Sequence, residues 1–192
     1  DRADFVAIRG QIFFHLGDLD AAQADFDQAL RMDDGLPWAH VDRALLYRER
    51  GELDAALADL DRAVALEPGN ANTFLERGYT YLWLGEQPLK ALSDFNTGLE
   101  IDPDNAPLYL ARSQVYASYL DQPGPALEDL NHCIEIAPDY PWCYQDRASL
   151  HDQAGRIAEA VADFRLFLEL VPPAECPDCV QYAESYIQEH DG

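Results

Sequence analysis

The 192-residue sequence predicts an all-α protein, a solenoid of five helix-turn-helix hairpins and one closing helix, on three observations. One pattern of residue types recurs at steps of 34 or 35 residues. Inside each copy, apolar residues fall at intervals of three and four, the period of one helix face. A breaker closes each copy. A fixed period of this size marks a stacked repeat array and decides the fold before any local reading.

Sliding residues 10–30 along the chain aligns a small residue as Gly10, Ala44, Gly78, Ser113 and Ala148, at steps of 34, 34, 35 and 35. Three residues on stand Phe13, Tyr47, Tyr81, Tyr116 and His151. An alanine column follows as Ala22, Ala56, Ala91, Ala126 and Ala160, and a bulky one as Phe26, Leu60, Phe95, Leu130 and Phe164. The small column lets two helices approach closely where the bulky column must fit. Asp34, Pro68, Pro103, Pro138 and Pro172 end the copies, where a proline without an N–H donor stops a helix. A mid-copy Gly splits the stripe into two helices, except in the fourth copy, which has Leu120. Copies three and four carry one extra residue near Gln87-Pro88 and Gln122-Pro123-Gly124-Pro125, which predicts longer, stiffer turns. After Pro172-Pro173, residues 178–189 repeat the first-helix pattern alone, with Cys179, Ala183 and Tyr186 in register. A polar-backed closing helix is expected there, because an uncapped array would leave an apolar face in water.

These columns resemble the tetratricopeptide repeat family over roughly residues 3–174. The resemblance implies a right-handed α-α superhelix, with repeats at about 3–36, 37–70, 71–105, 106–140 and 141–174 in one domain spanning 1–192. It also implies a concave groove lined by first helices. That face maps to Phe14; Trp38, Val41 and Leu45; Leu75, Tyr79, Leu82 and Trp83; Leu110 and Gln114; Trp142 and Gln145. All three tryptophans fall in the mapped face. Trp, Tyr and Leu lining a wet groove point to a bound peptide, whereas Trp38 and Trp142, at helix starts, could equally pack against the preceding turn. The Lys and Asn clamp by which some family members hold a carboxylate is absent, since Lys90 is the only lysine and lies on a second helix.

A second pattern is particular to this chain. Arg9, Arg43, Arg77, Arg112 and Arg147 each precede the small residue, and five of the twelve arginines are thereby placed. Asp25, Asp59, Asp94, Asp129 and Asp163 each precede the bulky one. Charges beside a core need partners, so a ladder is expected, drawn across repeat boundaries as Asp25–Arg43, Asp59–Arg77, Asp94–Arg112 and Asp129–Arg147. The alternative is that the arginines bind an anionic ligand.

Composition narrows the function. With 36 acidic against 13 basic residues, the net charge of −23 repels nucleic acid and anionic membranes, and favours an apolar segment with basic flanks as partner. No apolar run reaches the ~18 residues of a membrane span, so a soluble chain without membrane insertion is expected. The chain opens at Asp1 without Met, which fits a processed protein or a fragment. No phosphate loop, nucleophile triad or two-histidine metal helix is present, and no cofactor or metal is expected. His40 and His151 read as packing residues, and the acidic clusters lack the order of a calcium loop. Cys133 with Cys143, and Cys176 with Cys179, read as two local disulfides and hence an extracytoplasmic compartment. Reduced thiols in the cytoplasm, or a redox or zinc role for the closer pair, are the alternatives.

The sequence therefore predicts a non-catalytic scaffold for protein or peptide binding. Its rivals are a repeat part of a larger enzyme or secretion component, a periplasmic or extracellular enzyme with its own site, and self-association through the N-terminal face at Phe5, Ile8 and Ile12.

Overall fold

The computed structural model describes residues 2–172 and 174–190. Pro173 of the expected Pro172-Pro173 breaker, and residues 1, 191 and 192 of the expected domain, lie outside the described residues. Among the described residues all regular structure is helical: α1 (Arg2–His15), α2 (Leu19–Met32), α3 (Pro37–Glu49), α4 (Leu53–Leu66), α5 (Ala71–Trp83), α6 (Pro88–Ile101), α7 (Ala106–Ser118), α8 (Pro123–Ile136), α9 (Pro141–Gln153), α10 (Ile157–Leu170) and α11 (Pro177–His190). None is long and apolar enough to cross a membrane.

Local chemistry sets the boundaries. Pro37, Pro88, Pro123 and Pro141 open helices where the missing N–H costs nothing. Asp18 and Asn105 cap α2 and α7, their side chains accepting from the amides of Ala21 and Leu108. In hairpins one, two and five the connecting turn passes through a left-handed glycine, Gly17, Gly51 or Gly155, at φ of 79°, 73° and 69°. The extra residue in hairpins three and four moves that position one place on, to Glu86 at 48° and Asp121 at 51°. Leu120 is tolerated because its own position no longer needs the left-handed conformation.

The helices pack as two compact units. Residues 1–103 hold three hairpins, α1/α2, α3/α4 and α5/α6, with α2 against α3 and α4 against α5. Residues 104–192 hold α7/α8 and α9/α10, with α8 against α9 and α11 closing on α10. In both units the bulky column is sealed: Phe26, Leu60, Phe95 and Leu130 are fully buried, and Phe164 nearly so. Burying such a side chain contributes ~2–3 kcal/mol. A Cβ at Gly10 would lie 2.9 Å from the Phe26 ring, and one at Gly78 2.3 Å from Phe95. At Gly10 and Gly78 a methyl group would thus collide with the ring as it lies, whereas Ala44 and Ser113 face the smaller Leu60 and Leu130, and in the fifth hairpin Ala148 is accommodated beside Phe164.

The arginine column closes within each hairpin, which corrects the expected pairing. Arg9 chelates Asp25, Arg43 Asp59, Arg77 Asp94, Arg112 Asp129 and Arg147 Asp163, each through Nε and Nη2 at 2.6–2.9 Å. The pairs Asp25–Arg43, Asp59–Arg77, Asp94–Arg112 and Asp129–Arg147 are therefore replaced. Packing explains the result: the bulky residue sits on the small residue of its own hairpin, so the Asp before one meets the Arg before the other. Contacts across repeats do exist, made by the third donor. Nη1 of Arg43 reaches Asp27, that of Arg77 reaches Asp61 and that of Arg147 reaches Asn131, each at 2.7 Å. The five carboxylates are buried, and their bidentate partners satisfy charges that would otherwise be costly there. At Asp59, burial pushes the carboxyl up, but hydrogen bonds from Arg43 and His40 outweigh it and hold the group below the usual carboxylate range.

The second unit carries both disulfides. Cys133 at the end of α8 joins Cys143 at the start of α9, and Cys176 joins Cys179 at the start of α11, with Cα–Cα separations of 6.2 and 5.3 Å.

Candidate recognition face

The first helices of the first unit place side chains from α3 and α5 around a cleft of about 330 Å³. Trp38, Val41, Thr73 and Leu75 give it an apolar lining, and Asp42, Glu76, Asn70 and Asn72 a polar one. Helix spacing produces this mixture, since Trp38, Val41 and Asp42 lie at i, i+3 and i+4 on α3. Burial pushes the Asp42 carboxyl above its ordinary range, while the amide of Gln11, donating at 2.5 Å, and the charge of His15 partly counter it. Glu76 accepts from Arg48 at 2.7 Å.

Beside the cleft stands an aromatic shelf. Trp83 is 59% exposed and stacks on Tyr79 at 4.6 Å, and Tyr79 meets the buried Phe95 edge-on at 5.6 Å. The guanidinium of Arg48 lies 5.0 Å from the Trp83 ring centre, within cation-π range. An exposed indole is thus held by a chain of contacts running into the core.

The mapped residues divide. Trp38, Val41 and Leu75 line the cleft, Tyr79 and Trp83 form the shelf, and Leu45 is half-buried between its neighbours. Leu82 and Leu110, at 4% and 5% exposure, belong to the core and offer no surface. Leu110 packs in the cluster that holds Leu130, Cys143 and Leu150. Phe14 packs into the cluster around Phe26. In the second unit, Trp142 packs on Phe167 of the following helix α10, with ring centres 5.8 Å apart, rather than lining a cleft with Gln145. Gln114 donates to Asp146 at 3.0 Å, and burial pushes the Asp146 carboxyl up. Gln145 accepts from the Ser149 hydroxyl through its backbone carbonyl.

Sequence reading missed Asp42 and Glu76. Each lies three residues before a mapped position, Leu45 or Tyr79, and so one helical turn away on the same face. That spacing was the available signal. Among the described residues, no group of three or more His, Cys, Asp or Glu side chains is arranged to hold a metal ion. His40 is buried between Asp59, 2.9 Å from its Nδ1, and Asp34. His151 lies 3.8 Å from Asp163. Neither histidine faces the cleft.

Two family profiles match the chain, "Tetratricopeptide repeat" over residues 3–35 and "TPR repeat" over residues 44–85. No curated protein matches it in sequence. Solved structures share its fold. A thermophilic TPR protein of Thermus thermophilus, TTC0263, is 24% identical at a TM-score of 0.78, with 97% of this chain and 99% of that one covered. PilW, a type IV pilus biogenesis factor, is 19% identical at 0.80, covering 98% and 92%. Yeast Tom70 is 17% identical at 0.81, covering 97% of this chain and 40% of its own. Residues 3–35 and 44–85 are thus tetratricopeptide repeats by family profile, and the small, bulky and breaker columns recur in register in all five copies of a chain that shares the fold of solved tetratricopeptide repeat proteins.

Proposed function

We propose that this protein is a non-catalytic scaffold that binds a segment of another polypeptide on the inner face of α3 and α5. The observation that carries the reading is the combination of an open cleft with an exposed, core-anchored indole. A solvent-exposed Trp at 59%, stacked on a second ring, is the kind of anchor that dominates peptide recognition. The carboxylates of Asp42 and Glu76 select an apolar segment with Lys or Arg beside it, and the net charge of −23 steers such a segment inward. An extracytoplasmic location accords with the pairing of all four cysteines. The likeness to a type IV pilus biogenesis factor supports a place in an assembly outside the cytoplasm.

Selection from a random peptide library tests this reading. Sequences pairing Leu, Ile or Phe with Lys or Arg are expected to be enriched, and Trp83→Ala or Glu76→Gln is expected to weaken the best of them tenfold or more. Equal binding by both variants would exclude this face.

A further inference from the structure

The two disulfides sit in different surroundings. Cys133 and Cys143 are both fully buried and stand inside the repeat packing, where α8 lies against α9. Cys133 occupies the column of Ala29, Ala63, Gly98 and Phe167, and Cys143 the column of Ala39, Thr73 and Leu108. Every one of those residues is buried, so the sulfurs fill interior positions, and a thiol in solution reaches them only through local unfolding.

The pair Cys176–Cys179 lies beyond the five hairpins, where the chain turns into α11, and both of its residues are partly exposed. Its two members are unequal. Cys179, in the first turn of α11, packs with Val180 against the cluster around Phe164 and Phe167. Cys176 precedes the helix, between the exposed Glu175 and Pro177. Exchange needs a thiolate to approach one sulfur along the bond it breaks, and the core behind Cys179 leaves Cys176 as the sulfur open to attack.

The fold has little need of this bridge. It joins residues of sequence separation 3, against 10 for the other, and the entropy that a bridge removes from the unfolded chain grows with the loop it closes. Helix α11 has its own hold on the array: Ala183 and Tyr186 are buried in the Phe164 cluster, and the Tyr186 hydroxyl donates to Asp152 at 2.7 Å. The bridge can therefore open while the helix stays docked.

We propose that Cys176–Cys179 is a redox site that accepts two electrons from a protein dithiol by thiol-disulfide exchange. One thiolate of the dithiol attacks Sγ of Cys176, the bond between the two cysteines breaks, and Cys179 leaves as a thiolate and takes up a proton. The dithiol's second thiolate then attacks the partner sulfur of that mixed disulfide and releases Cys176, which is protonated in turn. The dithiol ends as a disulfide and this chain as two thiols, carrying the two protons that the dithiol gave up. Glu175 and Asp178 flank the site, so a dithiol set among basic residues is favoured over one set among acidic residues. The site shares no residue with the cleft between α3 and α5.

The test equilibrates the whole chain, without oxygen, in buffers of rising reduced to oxidised glutathione, then quenches in acid, alkylates and reads peptide masses. Cys176–Cys179 is expected to open reversibly across these ratios, with far-UV circular dichroism and a cooperative melt retained, while Cys133–Cys143 stays closed. Structural bridges resist reduction by glutathione, so a Cys176–Cys179 bridge that stays closed at every ratio, or opens only with loss of the folded signal, overturns the proposal. Opening of both bridges at the same ratio does so too. Single thiols then test which sulfur is attacked. The Cys176 thiol left in Cys179→Ser is expected to react with the neutral 2,2′-dithiodipyridine tenfold or more faster than the Cys179 thiol left in Cys176→Ser, and equal or reversed rates overturn the assignment. Finally, a synthetic dithiol peptide flanked by lysines is expected to open the bridge tenfold or more faster at low salt than the same peptide flanked by glutamates, each rate taken relative to that on neutral hydroxyethyl disulfide. Equal relative rates overturn the choice of a basic partner.

Discussion

The two units place a tryptophan at the same repeat position and use it differently. Trp38 and Trp142 both stand six residues before the small column. In the second unit, Phe167 on α10 meets Trp142 and holds it, half-buried, against the core. In the first, α4 has Ala63 at the position of Phe167, and Trp38, packed against the cluster around Phe26, edges a cleft with its remaining surface. The second unit adds two disulfides and the closing helix α11, and the first adds the exposed Trp83. One fold therefore carries a reinforced unit and a unit with an open cleft, and the difference between the two tryptophans is set at one second-helix position, Ala63 or Phe167.

The largest expected effect breaks that contrast directly. Trp142→Ala removes a packed indole and should lower stability by about 3 kcal/mol in chemical denaturation, whereas Trp83→Ala should stay within about 0.5 kcal/mol. A reversal of the two would reverse the assignment of the units. Next is reduction of the Cys133–Cys143 bridge, which closes a loop of sequence separation 10. The chain-entropy relation gives about 3 kcal/mol for such a loop, so denaturation with and without a dithiol reductant should differ by that order. Smaller again is Gly78→Ala. Its Cβ would press on Phe95, a ring that is fully buried, and a loss of about 2 kcal/mol is expected despite alanine's better helix propensity.

The smallest effect is a pH dependence of opposite sign at two kinds of aspartate. Asp146, like Asp42, titrates above its ordinary range when folded, so its ionisation opposes folding and stability falls as pH rises through that window. Asp146→Asn keeps an acceptor for Gln114 and is expected to remove that fall in pH-resolved melts. Asp59 is held below its ordinary range, so its contribution is present at neutral pH and is lost as pH drops through the lowered value. Asp59→Asn should therefore destabilise at neutral pH and converge with the wild type in acid.

The hairpins were legible because the small and bulky columns each answer to one steric contact repeated five times. The ladder's residues were legible for the same reason, and its pairing followed from that contact too, since Arg9 and Asp25 immediately precede Gly10 and Phe26. Turn chemistry was only half legible. An inserted residue announced longer turns, but not that the left-handed position would pass from Gly85 to Glu86. The recognition face was least legible, because a helical wheel places Leu82 beside Trp83 without telling which side a neighbouring hairpin will cover. Nor does the wheel for α9 indicate that Trp142 will be met by a phenylalanine from α10.

Three tryptophans supply three indole N–H reporters, and titrating 15N-labelled protein with a selected apolar-basic peptide reads them together. Shifts of the Trp38 and Trp83 signals with Trp142 unmoved are expected if α3 and α5 form the binding face. Movement of Trp142 alone, or saturation of binding with all three signals fixed, would contradict it.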